Sequence, residues 1–136
     1  MTQVFADTSY WIALLNPRDE LHAKAVAVSQ GLVSTRIVTS EMVLVELLNS
    51  FSDGGARLRS AVANAVEALR GNQNVMVCPQ TADQFEDALG RYQQAKDKSW
   101  SLTDCASFQI MEAERMKVGL THDRHFAQAG YETLLR

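Results

Sequence analysis

A chain of 136 residues, 46% apolar and 21% charged, has the size and composition of one soluble domain (1–136) that buries roughly 68% of its unfolded surface. No apolar run approaches the ~18 residues of a membrane span and no basic leader precedes one. Two distant cysteines, Cys78 and Cys105, exclude a disulfide framework and read as reduced core residues, so the expected setting is the cytoplasm, away from membrane. The net charge of −3 does not exclude nucleic acid, because cations held by four of the sixteen acids would reverse its sign.

The first apolar run, Val4-Phe5-Ala6, lacks polar alternation and predicts a strand buried on both faces, as inside a parallel sheet. It stops at Asp7, after which Thr8 or Ser9 can cap a helix that begins at Tyr10-Trp11-Ile12. Ligands of open α/β sheets sit at the carboxyl ends of strands. Asp7 is therefore either a helix cap or a charge placed for use. Asn16-Pro17-Arg18 form a turn, Asp19 is placed to cap a helix over 21–32, and His22 in that helix reads as a polar residue with no histidine near it. Residues 36–39 predict a second strand.

Ser40 then opens a helix over 41–51, with Glu41 in the first turn, where a negative charge suits the helix dipole. The run is apolar on nearly every side, the mark of a buried helix, and Glu46 interrupts it. A buried carboxylate costs several kcal/mol unless paired or metal-bound. Glu46 is thus a candidate ligand or catalytic acid, the alternative being a salt-bridged structural residue.

Ser52-Asp53-Gly54-Gly55 break the chain. A helix over 56–70 follows, with Leu58, Val62, Val66 and Leu69 at helical spacing. Residues 74–78 predict a third strand, ended by Pro79. Thr81 caps the next helix, in which Phe85, Leu89 and Tyr92 share a face. Ser101 and Asp104 have the spacing of a capping box, opening a helix to about residue 115. Residues 117–121 predict another buried strand, followed at once by His122-Asp123-Arg124-His125-Phe126. Asp123 therefore sits just past a strand, as Asp7 does. A last edge strand is expected within 131–135. Strands alternating with helices give an α/β fold, a three-layer sandwich with a mostly parallel central sheet flanked by helices.

In such a sheet Asp7, Glu46, Asp104 and Asp123 can converge on one edge. Two carboxylates about 4 Å apart repel by roughly 4 kcal/mol at an effective dielectric of 20. Several such pairs approach the ~5–15 kcal/mol that holds a domain together, so the cluster needs protons or cations. An all-oxygen site without clustered cysteines suits Mg²⁺ or Mn²⁺. One or two such ions would activate a water for phosphodiester hydrolysis. His122 and His125 point toward zinc instead, but no third nitrogen or sulfur ligand lies near them.

These residues resemble the motifs of the PIN domain family, in particular the small stand-alone members that serve as toxins in VapC-type toxin–antitoxin pairs. The likeness covers nearly the full chain. Asp7-Thr8-Ser9 resembles the opening motif, while Asp19, His22 and Ala25 fit a D-x-x-H-x-x-A pattern. Glu46 matches the helix acid, Ser101-Leu102-Thr103-Asp104 the third motif, and Thr121-His122-Asp123-Arg124-His125-Phe126 the fourth. The resemblance implies a Mg²⁺- or Mn²⁺-dependent endoribonuclease, a homodimer, and an antitoxin whose C-terminal segment covers the active site. By that likeness Asp7 and Asp104 are metal ligands, Glu46 orients or activates water, and Asp123 completes the acidic pocket. Thr8 and Thr103 would be supporting donors, with Asp97 a further acid beside the site. Arg18, Lys96, Lys98 and Arg124 flank the motifs as candidate phosphate contacts or as solvated surface charge.

Two rival readings remain. A haloacid-dehalogenase-type phosphoryl-transfer enzyme also places an Asp after its first strand, but needs a second Asp where Ser9 stands. A non-catalytic interaction module would use the same acids only to hold a structural cation.

Overall fold

Every strand of the sheet runs parallel, and the neighbours pair in the order β3-β2-β1-β4-β5. The coordinates are a computed structural model and describe residues 2–136. In chain order the elements are β1 (Thr2–Ala6), α1 (Thr8–Leu15), α2 (His22–Gln30), β2 (Thr35–Ser40), α3 (Glu41–Ser50), α4 (Ala56–Arg70) and β3 (Val75–Cys78). They continue with α5 (Ala82–Gln94), α6 (Leu102–Ala113), β4 (Val118–Leu120), α7 (Arg124–Gln128) and β5 (Glu132–Thr133). This is the flanked parallel sheet that the alternating pattern predicts, parallel throughout instead of mostly so.

The chain travels outward from β1 to β2 and β3, then returns to place β4 on the other side of β1. Right-handed crossovers make that reversal a switch point, where connections leave β1 and β4 in opposite directions and open a crevice between them. Asp7 follows β1 and Asp123 follows β4, so both acids stand at its mouth. The pairing of β1 with β4 extends one residue beyond the strand, through Asp7 N–H to the Leu120 carbonyl at 3.1 Å.

Apolar packing aims the remaining elements at the same place. Phe5, Phe108 and Phe126 are fully buried. Phe126 lies 6.4 Å from Phe5 and 5.0 Å from Phe108, centroid to centroid. Phe108 is one turn beyond Asp104, on the same side of α6, and Phe126 directly follows His125. The rings that fill the core thus set the height of both acid-bearing helices above β1. Gly119 of β4 lies under them. A Cβ there would come 3.2 Å from the Thr121 methyl and 3.3 Å from the Phe126 ring.

Local signals hold well at most helix starts. Ser40 caps α3 through Val43 N–H at 3.1 Å, and Thr81 with Gln84 closes the box on α5. Three expectations need correction. Helix α1 begins at Thr8, with Asp7 itself at the N-cap position. In α2 the N-cap is Leu21, not Asp19; Asp19 Oδ1 instead accepts from Leu21 N–H at 2.9 Å in the turn before it. A third correction concerns α3, which is not buried on every side: Val45 is 55% exposed and Leu48 is exposed as well.

Candidate active site

Asp7 is almost completely buried and occupies the N-cap of α1, yet its carboxylate makes no capping hydrogen bond. Capping therefore does not account for it. Thr39 fixes the backbone just before it, donating to the Ala6 carbonyl at 2.8 Å and accepting from the Trp11 indole at 3.2 Å. Burial pushes the Asp7 carboxyl up from 3.8 to about 7, and the negative charges of Asp104 and Asp123 push the same way. The Thr8 amide and the Thr121 hydroxyl act against that shift.

Thr121 is the joint between Asp7 and the β4 side. Its hydroxyl donates to Asp7 Oδ2 at 3.0 Å and accepts from Asp123 N–H at 2.9 Å. Because a hydroxyl has one proton, the 3.2 Å contact with Ser9 must be donated by Ser9. The Ser9 oxygen in turn accepts from His122 N–H at 3.1 Å. A fully buried threonine and one serine thereby tie the first motif to the fourth.

Asp104 sits in the first turn of α6 and does two jobs. It completes the capping box with Ser101, Oδ2 accepting from Ser101 N–H at 3.0 Å. The same oxygen lies 2.8 Å from His125 Nδ1. Burial raises its carboxyl above the usual range, and Asp123 adds to the rise. Asp123, at the N-cap of α7, accepts from His125 N–H through Oδ1 at 2.9 Å. Among the described residues, Asp104, Asp123 and His125 form a group whose ligand atoms all lie within 4.8 Å of one another.

Glu46 stands further off. It is half-buried on α3 and accepts from the Thr8 hydroxyl at 2.6 Å, so it reaches the other acids through the residue after Asp7. Thr8 supports the quartet by that bond. Thr103 is buried, but the bond recorded for it runs through its carbonyl, from Ser107 at 2.9 Å. Asp97 does not join the site: it is fully exposed, and Lys98 at 2.9 Å holds its carboxyl below the usual range.

The four basic candidates are spread out. Lys96 and Lys98 line one groove with Tyr92, Trp100 and Ser101, and so reach the residue whose N–H binds Asp104. Arg124 is exposed directly beside Asp123. Arg18 lies in a different groove, with Leu15, Phe51 and Leu58. His22 and His122 are engaged with backbone instead, their Nδ1 atoms meeting the Ala13 carbonyl at 2.8 Å and the Leu135 carbonyl at 2.9 Å. Sequence reasoning underrated Ser9, Thr121 and His125, which carry the bonds between motifs; their place inside the motifs was the available signal.

The donor set fits a hard divalent cation. Its acids supply carboxylate oxygens, and burial beside two other acids raises one of them, Asp7, to about 7, a strain that bound positive charge relieves. Asp104 and Asp123 present oxygens close enough to share such an ion, while Asp7 lies outside that close group but near enough to feel both charges, and Glu46 stands at the margin.

The chain resembles known proteins along most of its length. A PIN domain family model matches residues 4–131. The 23S rRNA-specific endonuclease VapC20, from two strains of Mycobacterium tuberculosis, is 32% identical, over 94% of this chain and 95% of that protein. The crystal structure of M. tuberculosis VapC20, described as a Sarcin-Ricin loop cleaving toxin, aligns with a TM-score of 0.83 and 29% identity. That alignment covers 94% of this chain and 95% of the other. FitAcB from Neisseria gonorrhoeae aligns with a TM-score of 0.69 over 96% and 95%, at 14% identity, a likeness of fold alone.

Proposed function

The chain belongs to the PIN domain family, and from that premise we propose that it is a metal-dependent endoribonuclease acting as the toxin of a toxin–antitoxin pair. The observation that carries the reading is the approach of Asp104 and Asp123, with Asp7 near enough to feel both charges, from three distant segments and with no Arg or Lys bonded to them among the described residues. A structural ion pair would have brought an Arg or Lys into such a burial. Among the described residues the groups bonded to the carboxylates are hydroxyls, amides and one imidazole.

The cofactor we propose is Mg²⁺ or Mn²⁺, held by Asp7, Asp104 and Asp123. Bound there, the ion would supply charge neutralisation and an activated water for phosphodiester hydrolysis. Around it the residues have separate tasks. Thr121 holds Asp7 Oδ2, Ser101 holds Asp104 Oδ2, and Glu46, anchored by Thr8, receives or orients the proton of the attacking water. Lys96, Lys98 and Arg124 flank the crevice as phosphate contacts; the position of Arg18, in another groove, argues against that role for it.

RNA is the proposed substrate, since the VapC20 relatives are named for cleaving 23S rRNA. For partners we propose an antitoxin and a second copy of the chain. The exposed row Phe85, Leu89 and Tyr92 on α5 supports a protein contact on that helix. The decisive experiment is cleavage of a long unstructured RNA in Mn²⁺, wild type against Asp104→Asn. The reading requires cleavage by the wild type and its loss in the variant; equal cutting by both would refute it.

A further inference from the structure

His125 meets both acids of one side of the crevice with two different donors. Its backbone N–H binds Asp123 Oδ1 at 2.9 Å. Its ring Nδ1 lies 2.8 Å from Asp104 Oδ2 and 3.3 Å from Asp123 Oδ1. A carboxylate oxygen offers only lone pairs at such a separation, so the ring nitrogen facing it carries a hydrogen. In this arrangement Nδ1 has no lone pair for a cation, and the ring acts on Asp104 as a donor. Ser101 N–H reaches the same oxygen at 3.0 Å. Two donors therefore occupy Oδ2 and fix the carboxylate plane, while Oδ1 carries neither bond.

We infer that His125 is a positioning residue: its Nδ1–H and backbone N–H hold Asp104 and Asp123 at a fixed separation, so that both present oxygens to a divalent cation already in place. The inference rests on the metal-dependent nuclease reading and assigns it a component outside the acidic quartet. Phe126, next in the chain and fully buried, supplies the apolar anchor of α7, while the mostly buried His125 ring directs its nitrogen at the two acids. Helix α7 has only five residues, too few to hold its own geometry. Phe126 sets the height of α7, and the bond that His125 makes to Asp104 fixes the turn of its acid against α6.

The chemistry of the ring gives a clean test. Asparagine can place an N–H near the position of Nδ1; glutamine places one nearer to Nε2. Mn²⁺ binding is measured by calorimetry on purified wild type, His125→Asn and His125→Gln, alongside kcat and KM on a long unstructured RNA and melting in EDTA. The Gln variant should bind Mn²⁺ about 10–100-fold more weakly, the range for groups that orient metal ligands. Its kcat should fall without a rise in KM for RNA, and its melting in EDTA should match wild type. The Asn variant should recover most of the binding. A Gln variant that binds Mn²⁺ like wild type, an Asn variant as weak as Gln, or a Gln variant that fails to fold each overturns the inference. A wild type that neither binds Mn²⁺ nor cuts RNA sinks the nuclease reading instead.

Discussion

The two walls of the acidic crevice are built differently. On the α6–α7 wall, Asp104 and Asp123 share one residue, His125, which donates to both. On the α1–α3 wall the main donors are hydroxyls from two residues, Thr121 to Asp7 and Thr8 to Glu46, and Thr8 favours the Asp7 carboxylate only through its amide. The walls therefore bear the cost of clustered charge unequally. Asp104 has two donors on one oxygen to set against burial, whereas burial weighs more heavily on Asp7 and raises its carboxyl to about 7. One wall is wired for geometry and the other stores electrostatic strain that a cation would release.

The largest effect expected is from Asp104→Asn. Losing a ligand from the wired wall removes several kcal/mol of transition-state stabilisation, about 1,000-fold in kcat at 1.36 kcal/mol per decade, read as RNA cleavage in Mn²⁺. Next comes the strained wall. A carboxyl whose folded pKa, about 7, exceeds its unfolded value, 3.8, keeps its proton in the folded chain while the unfolded chain has lost it. The metal-free protein should therefore lose stability as pH rises from about 4 to about 7, by on the order of 4 kcal/mol. Denaturant titrations in EDTA across that range check the sign. Asp7→Asn should flatten the slope and stabilise the metal-free chain while abolishing turnover; a destabilised Asn variant would mean that Asp7 serves the fold.

Smaller effects sharpen the contrast. Mn²⁺ at 100 times its Kd should stabilise wild type by about 2.7 kcal/mol, seen as a rise of several degrees in melting temperature that the Asp7→Asn variant lacks. Thr8→Val deletes the donor to Glu46, worth about 1–1.5 kcal/mol, so kcat should fall about 10-fold with Mn²⁺ affinity unchanged. Asp97→Asn should move stability by less than about 0.5 kcal/mol and leave cleavage near wild type, since Asp97 is exposed and pairs with Lys98 at the surface.

Asp97 and Asp104 also mark how far the sequence could be read. Both are acids seven positions apart in one polar stretch, and a resemblance can nominate both. Only Asp104 is lowered into the crevice, because it lies in the first turn of α6, whose Phe108 packs into the core. Asp97 precedes the helix and nothing apolar draws it in. Glu46 presents the opposite case. Its apolar neighbours gave it the look of a fully buried residue, but Val45 and Leu48 face outward, and a half-buried acid anchored by Thr8 is what results. The row Phe85, Leu89 and Tyr92 follows the same logic, since spacing assigns residues to a shared face while exposure depends on what packs there.

Local information alone determined the strands that end in acids, the caps at Ser40, Thr81 and Ser101, and the bounds of α4, because each depends on neighbours within a turn or a strand's length. The distances across the crevice belong to the tertiary structure. Ser9 meets Thr121 across 112 residues and Asp104 meets His125 across 21; such bonds exist only once parallel pairing sets β1 beside β4 and the aromatic core fixes the helices above them.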